Sequence, residues 1–329
     1  MRIKILLTGS SGYIASCFNS LYQSRFSIYC LDKKKPKFFN KIKKGKFIKC
    51  NLLDKKKLKE IFERIRPDLV IHLAAQSTVN EKIKWNDYYE NNVKATKNIL
   101  DIMKMFKIKN LIFSSTASVY KEKKNKILEI DKLKPNSKYG KSKLIAENLI
   151  RKYENINHII LRFFNVCSAL RKPLIGEFHN PETHLLPVSI TKLFNNQIIE
   201  IFGKDYKSKD GTCERDYIHI KDVCRAVTNS SMLLLKKSKN YTLNIGNGKT
   251  ISNLDILRSL KKITKKNIKF RFVKKRKGDQ PRLFCNTDKA KKIIDWNSKN
   301  SNLKKIILDE IFWNMYLKKK GIKRKLFNE

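Results

Sequence analysis

The chain has 329 residues, of which 41% are hydrophobic, and its 74 lysines and arginines against 29 acidic residues give a formal net charge of +45. Such a length and apolar content read as a globular protein with a large core; no apolar run approaches the roughly 18 residues of a membrane span, and MRIKILLTG is too short for a signal peptide, so a cytoplasmic chain without a membrane partner is expected. The basic excess would draw polyanions by counterion release, yet the lysines (Lys33 to Lys35, Lys121 to Lys126, Lys318 to Lys325) run through nearly every segment without a recognition helix or aromatic RNA motif, so no specific nucleic acid is expected. The seven cysteines are scattered without a CxxC pair, which reads as reduced thiols and offers no zinc motif.

In chain order, β-rich apolar runs fall at Ile3 to Leu7, Ser27 to Leu31, Phe47 to Cys50, Leu69 to Leu73, Asn110 to Phe113 and His158 to Phe163. Helical patterns separate them. Val93, Thr96, Ile99, Leu100, Met103 and Phe106 recur at helical spacing, as do Leu144, Ile145, Leu149 and Tyr153, and both stripes read as core or subunit interface. This alternation predicts an α/β fold with a Rossmann-like, doubly wound parallel sheet. After Asn165 prolines and glycines punctuate longer loops, predicting a smaller, loop-rich C-terminal substrate domain over 166–329. Signals return at Lys221 to Leu235 and Tyr241 to Ile245, so the first domain, 1–165, is expected to take back about 220–250. The lysine-rich tail is expected to fray.

LLTGSSGYIAS follows the first strand and opens a helix, which places Gly9 at a tight turn, Gly12 where backbone can approach a pyrophosphate, and Ala15 where a third glycine is usual. Tyr13 and Ile14 begin the helix whose amides would face the phosphates. Asp32 ends the second strand, where a carboxylate can accept hydrogen bonds from adenosine ribose hydroxyls; this favours NAD, because a 2′-phosphate attracted by Lys33 to Lys35 would be repelled by Asp32. Asn51, Leu52, Leu73, Ala74, Ala75, Ser77 and Asn92 are further cofactor candidates on the same rim.

SKYGKSK places Tyr139 and Lys143 four residues apart on one helix face. A phenol titrating near ~10 is a poor base at neutral pH, and a neighbouring ammonium would stabilise its phenolate. The fifth strand runs out through IFSSTASVY, where Thr116 can bind a reacting oxygen, with Ser114, Ser115 and Ser118 as alternatives.

The glycine turn, Asp32, the Ser/Thr strand end and the YxxxK pair, in this order, resemble the extended short-chain dehydrogenase/reductase family. Within it, IFGKDYKSKDGTCERDYIHIKD (Ile201 to Asp222), with RFFN (Arg162 to Asn165), PETHLLP (Pro181 to Pro187) and RKGD (Arg276 to Asp279), resembles the UDP-glucose 4-epimerases. That resemblance implies a tightly held NAD, touched also by Phe164, and a UDP-sugar between two lobes. It implies Tyr139 as acid/base, Thr116 on the sugar oxygen and Lys143 lowering the tyrosine pKa. Arg215 and Arg276 would pair with the diphosphate, Asp279 with the uridine ribose, and Glu200 and Phe202 with uracil. Asn165, His184 and Leu185 would complete the substrate contacts, Leu283 would limit room beside the sugar 2-position, and a homodimer would pack through residues 90–106 and 140–153.

Ser77, Asn51 and Lys121 depart from the lysine, aspartate and glycine of better-known relatives, which implies weaker cofactor retention. A 4,6-dehydratase needs an Asp-Glu pair where Ala117 and Ser118 stand. UDP-N-acetylhexosamine, UDP-pentose or UDP-uronate epimerisation, and a non-enzymatic NAD-sensing or nucleic-acid-binding module, remain as alternatives.

Overall fold

The computed structural model describes residues 2–35, 46–78, 80, 82–179, 181–276 and 279–326; Lys277 and Gly278 of the RKGD run lie outside them. Six strands, β1 (Lys4–Thr8), β2 (Ser27–Asp32), β3 (Phe47–Lys49), β4 (Leu69–His72), β5 (Asn110–Thr116) and β6 (Asn157–Phe163), join the strand Tyr241–Ile245 in one seven-stranded sheet. All neighbours are parallel, in the order Tyr241–Ile245, β6, β5, β4, β1, β2, β3. Parallel strands are covered on both faces, and the nearly uninterrupted apolar runs of β1 and β4 are the sequence expression of that burial.

The helices are α1 (Tyr13–Tyr22), α2 (Lys55–Ile65), α3 (Trp85–Tyr88), α4 (Ala95–Met105), α5 (Lys138–Arg151), α6 (Leu185–Phe194), α7 (Ile220–Lys236), α8 (Asn253–Thr264), α9 (Asp288–Ile294) and α10 (Leu303–Lys319). On one face of the sheet Phe18 of α1 and Val223 and Val227 of α7 pack with Ile5, Leu7 and Ile71; on the other, Phe62 of α2, Ile99 of α4 and Ile150 of α5 pack with Leu6, Val70 and Leu111. A separate core holds α6, α8 and α10 together through Ile190, Leu257 and Ile307. Its strands are short: Ile199–Phe202 pairs with Phe270–Val273, and Glu214–Arg215 lies between Ile251–Ser252 and Arg282–Leu283.

The stripe on α5 divides as a core or subunit-interface stripe can: Leu144, Leu149 and Tyr153 pack against the cores, while Ile145 is 40% exposed; the fully buried side chains of the helix are Ser142, Lys143, Ala146, Glu147 and Ile150. Two sequence expectations change. The helical run over Val93 begins as a π-helical turn, Tyr89–Lys94. The tail as far as Leu326 is packed, not frayed: Arg324 and Leu326 are buried, and the Glu182 amide donates to the Lys325 carbonyl at 2.8 Å.

Candidate active site

The glycine turn sits where the strand order reverses, between β1 and β4, the place at which open α/β sheets bind ligands. Gly9 has φ +68°, and a Cβ there would stand 2.6 Å from the Ala74 backbone, so only glycine lets the turn close against the end of β4. The start of α1 faces the crevice so formed. Asp32 accepts the Ser11 amide at 3.0 Å and the Lys34 amide at 2.9 Å, which fastens the carboxylate beside the turn. Lys33 donates instead to Asn91 Oδ1 at 2.8 Å. A backbone cradle only glycine can line, a helix N-terminus and a fixed carboxylate fit the pyrophosphate and ribose of NAD.

The other cofactor candidates divide. Tyr13 donates to the Ser168 carbonyl, and Ile14 packs against the core behind the turn. Leu73 and Ala74 follow β4, tied to Thr8. Ala75 is half-buried, Ser77 and Asn51 are exposed, and Leu52 is buried, its carbonyl held by Asn98. Asn92 is 1% exposed, with its amide group committed to Gln76 and to Ser142 of α5. It clamps α5 to the loop after β4.

Thr116 ends β5 and its side chain receives the Ser118 amide; Tyr139 lies in the first turn of α5, which Ser137 caps by accepting the Gly140 amide. The two residues stand beside each other, since Gly140, next to Tyr139, abuts the Ser118 carbonyl in the turn after Thr116. Burial raises the Tyr139 phenol to about 12, outweighing the lowering effect of Thr116. The resemblance implied a lowered phenol; in the chain by itself desolvation prevails, and the expected cationic nicotinamide would act against it. Lys143 is fully buried, its ammonium 4.2 Å from the centroid of Phe113; burial lowers it to about 7 against the opposing charge of Glu147.

Glu147, four residues beyond Lys143, was not singled out from sequence, although Tyr-x3-Lys-x3-Glu spacing puts all three on one face. Its carboxylate takes Arg162 of β6 at 3.0 and 2.7 Å and the Ser115 hydroxyl at 2.5 Å. Arg162 also donates to Tyr120 at 2.8 Å. This buried, fully paired network fixes α5 on the sheet.

Glu200 and Phe202 lie on the strand Ile199–Phe202, and Arg215 and Leu283 on the paired strands Glu214–Arg215 and Arg282–Leu283. Arg215 pairs with Asp279 at 3.3 Å and donates to the Gln280 carbonyl at 2.7 Å, and Arg276 lies 3.8 Å over the Phe202 ring. Glu200 binds Arg271. Leu283 pairs in register with Arg215 and packs with Ala117, Val119 and the buried Phe164; Asn165 pairs with Tyr217. Leu185 opens α6. His184, however, directs Nδ1 to Glu182 at 2.9 Å and Glu177 at 3.2 Å, a carboxylate cluster.

A glycine turn at the switch point of a parallel sheet, with Asp32 beside it and a hydroxyl, phenol and amine across the rim, defines a dinucleotide-binding α/β protein. Residues 5–246 match the model of the NAD dependent epimerase/dehydratase family. The chain belongs to that family. It is 33% identical over 319 residues to a UDP-glucose 4-epimerase of Halalkalibacterium halodurans, covering 95% of each chain. Among solved structures, UDP-glucose 4-epimerase from Brucella ovis in complex with NAD is 30% identical with a TM-score of 0.88, covering 94% of this chain and 97% of that one. The Bifidobacterium longum enzyme in complex with NAD+ and UDP is 25% identical, with a TM-score of 0.89 and coverage of 97% and 99%. Among the described residues, no helix is long and apolar enough to cross a membrane.

Proposed function

We propose that this protein is an NAD-dependent enzyme that inverts the 4-hydroxyl of a UDP-hexose, interconverting UDP-glucose and UDP-galactose through a 4-keto sugar. The observation that carries this reading is that Thr116 at the end of β5 and Tyr139 in the first turn of α5 come together where Gly140 abuts the Ser118 carbonyl, with Lys143 one turn further along the same helix, in a chain of the NAD-dependent epimerase family.

NAD supplies a hydride acceptor and donor at sugar C4. Tyr139 takes the proton of the 4-hydroxyl and later returns it to the same oxygen, after the keto sugar has turned its opposite face toward the cofactor site. Thr116 holds the reacting oxygen, and Lys143, protonated, stabilises the phenolate. Residues 1–165 with the returning segment of about 220–250 hold the cofactor, and the remainder holds the UDP-sugar. There Arg215 and Arg276 bind the diphosphate through forked guanidinium groups, Asp279 the ribose, and Phe202 with the backbone near Glu200 the uracil. The Arg215–Asp279 pair opens to do so. Asn165 and Leu185 line the sugar side. The exposed Met105 of α4 and Ile145 of α5 support a homodimer packed through these helices.

Incubation with UDP-glucose, UDP-galactose, UDP-N-acetylglucosamine, UDP-xylose and UDP-glucuronate, with chromatographic separation of products, tests the proposal. Conversion of UDP-glucose to UDP-galactose without net NADH is expected. No epimer from any of the five would overturn it.

A further inference from the structure

We propose that Glu177, His179, Glu182 and His184 form a zinc site that bolts the start of α6 to the C-terminal helix and tail. The four side chains each present one ligand atom, all within 4.8 Å of one another. His179 Nδ1 stands 3.2 Å from Glu177 Oε1 and 3.9 Å from Glu182 Oε2, while His184 Nδ1 stands 3.2 Å from Glu177 Oε1 and 2.9 Å from Glu182 Oε1. Nitrogen and oxygen ligands about 2.0–2.1 Å from a tetrahedral zinc are separated by roughly 3.3 Å, so these spacings need only small adjustments. Two imidazoles with two carboxylates are a zinc-type donor set.

An independent observation points the same way. Glu177 and Glu182 are 2% and 0% exposed, yet Glu177 Oε2 and Glu182 Oε2 accept no hydrogen bond, and His179 Nδ1 has no hydrogen-bond partner either. Buried carboxylate oxygens left so are costly. A proton on His184 serves Glu182 Oε1 and leaves the other edge of the cluster unserved. Buried Glu310, paired with Arg324 at 2.7 Å, adds a further carboxylate beside the cluster, which a dication would help to offset.

The surroundings make the site a staple. Trp313 of α10 and Arg324 both donate to the Glu177 carbonyl, at 2.7 and 2.8 Å, and Glu182 bridges to Leu326. His184 is the N-cap residue of α6.

The whole chain, stripped with a chelator, is titrated with zinc chloride against a zinc-sensitive dye, with cobalt(II) as a spectroscopic substitute. All seven cysteines are buried and do not compete. One equivalent of zinc, a tetrahedral cobalt spectrum and a higher Tm with zinc are expected. His179→Gln should keep the wild-type circular dichroism, since His179 Nδ1 has no hydrogen-bond partner to lose, and lose at least about 100-fold in affinity, because loss of a group that merely orients a ligand already costs 10–100-fold. Absence of stoichiometric zinc, an octahedral cobalt spectrum in the wild type, or unchanged affinity in His179→Gln would overturn the proposal. None of these readouts uses UDP-sugar turnover, so they stand apart from the proposed reaction.

Discussion

Gly140 and Ser118 are in such close contact that a Cβ on Gly140 would stand 2.3 Å from the Ser118 carbonyl oxygen. The helix bearing Tyr139 and Lys143 therefore rests directly on the turn that follows Thr116. Gly140→Ala must push the two apart, and overpacking of this kind costs about 1–3 kcal/mol. A lower Tm with a larger fractional loss in kcat than in UDP affinity is expected. Unchanged thermal melting and kinetics would show that the contact is not used.

Tyr139→Phe removes one oxygen and retains the ring that packs 6.4 Å from Tyr88. Turnover should fall by about 10²–10⁴-fold, the contribution of a positioned acid/base, with NAD and UDP still bound. Steady-state assays beside cofactor retention on gel filtration check this; more than about a tenth of wild-type activity would count against the assignment.

Lys143→Met tests the buried ammonium in two ways. Burial lowers Lys143 from 10.5 to about 7, so between those values the unfolded chain binds more protons and stability rises with pH across that window. In the variant the lysine's share of this rise disappears, and at neutral pH it should unfold at higher denaturant concentration. Its residual activity should have an upward-shifted pH optimum, because the phenol loses its cationic neighbour. Denaturant titrations at pH 7 and 10 and a pH–rate profile measure both; identical profiles would remove Lys143 from the mechanism.

Arg276→Ala should weaken UDP binding by about 1.5–3 kcal/mol, the usual worth of a hydrogen bond to a charged group. Its guanidinium lies 3.8 Å over the Phe202 ring. Calorimetry with UDP decides, and undiminished affinity would return Arg276 to the solvated surface.

Leu283→Tyr should selectively abolish turnover of UDP-N-acetylglucosamine, which wild type is expected to accept less efficiently than UDP-glucose, since a steric block costs most where an added group must fit. Leu283 packs against the cluster that includes Ala117 and Val119, which follow Thr116 in the chain. Equal losses on both sugars would assign it to the core.

What the sequence determined by itself was local and periodic. The apolar runs of β1, β2, β4 and β6, the Gly9 turn, Asp32 at the end of β2 and the Tyr139–Lys143 spacing all follow from the preferences of a few adjacent residues, and they were legible for that reason. Short strands such as Glu214–Arg215 were not, because two residues carry no period and form only where Ile251–Ser252 and Arg282–Leu283 flank them. Tertiary structure alone decided which polar groups meet. Asn92 reads as a rim residue in the sequence but clamps Ser142, 50 residues away; Arg215 finds Asp279 across 64 residues; and Arg324, in a tail that composition would let fray, reaches the Glu177 carbonyl across 147. Such partners are chosen by burial, which makes an unpaired desolvated charge or amide costly and so favours a counterpart wherever the fold brings one, and no local pattern records that choice.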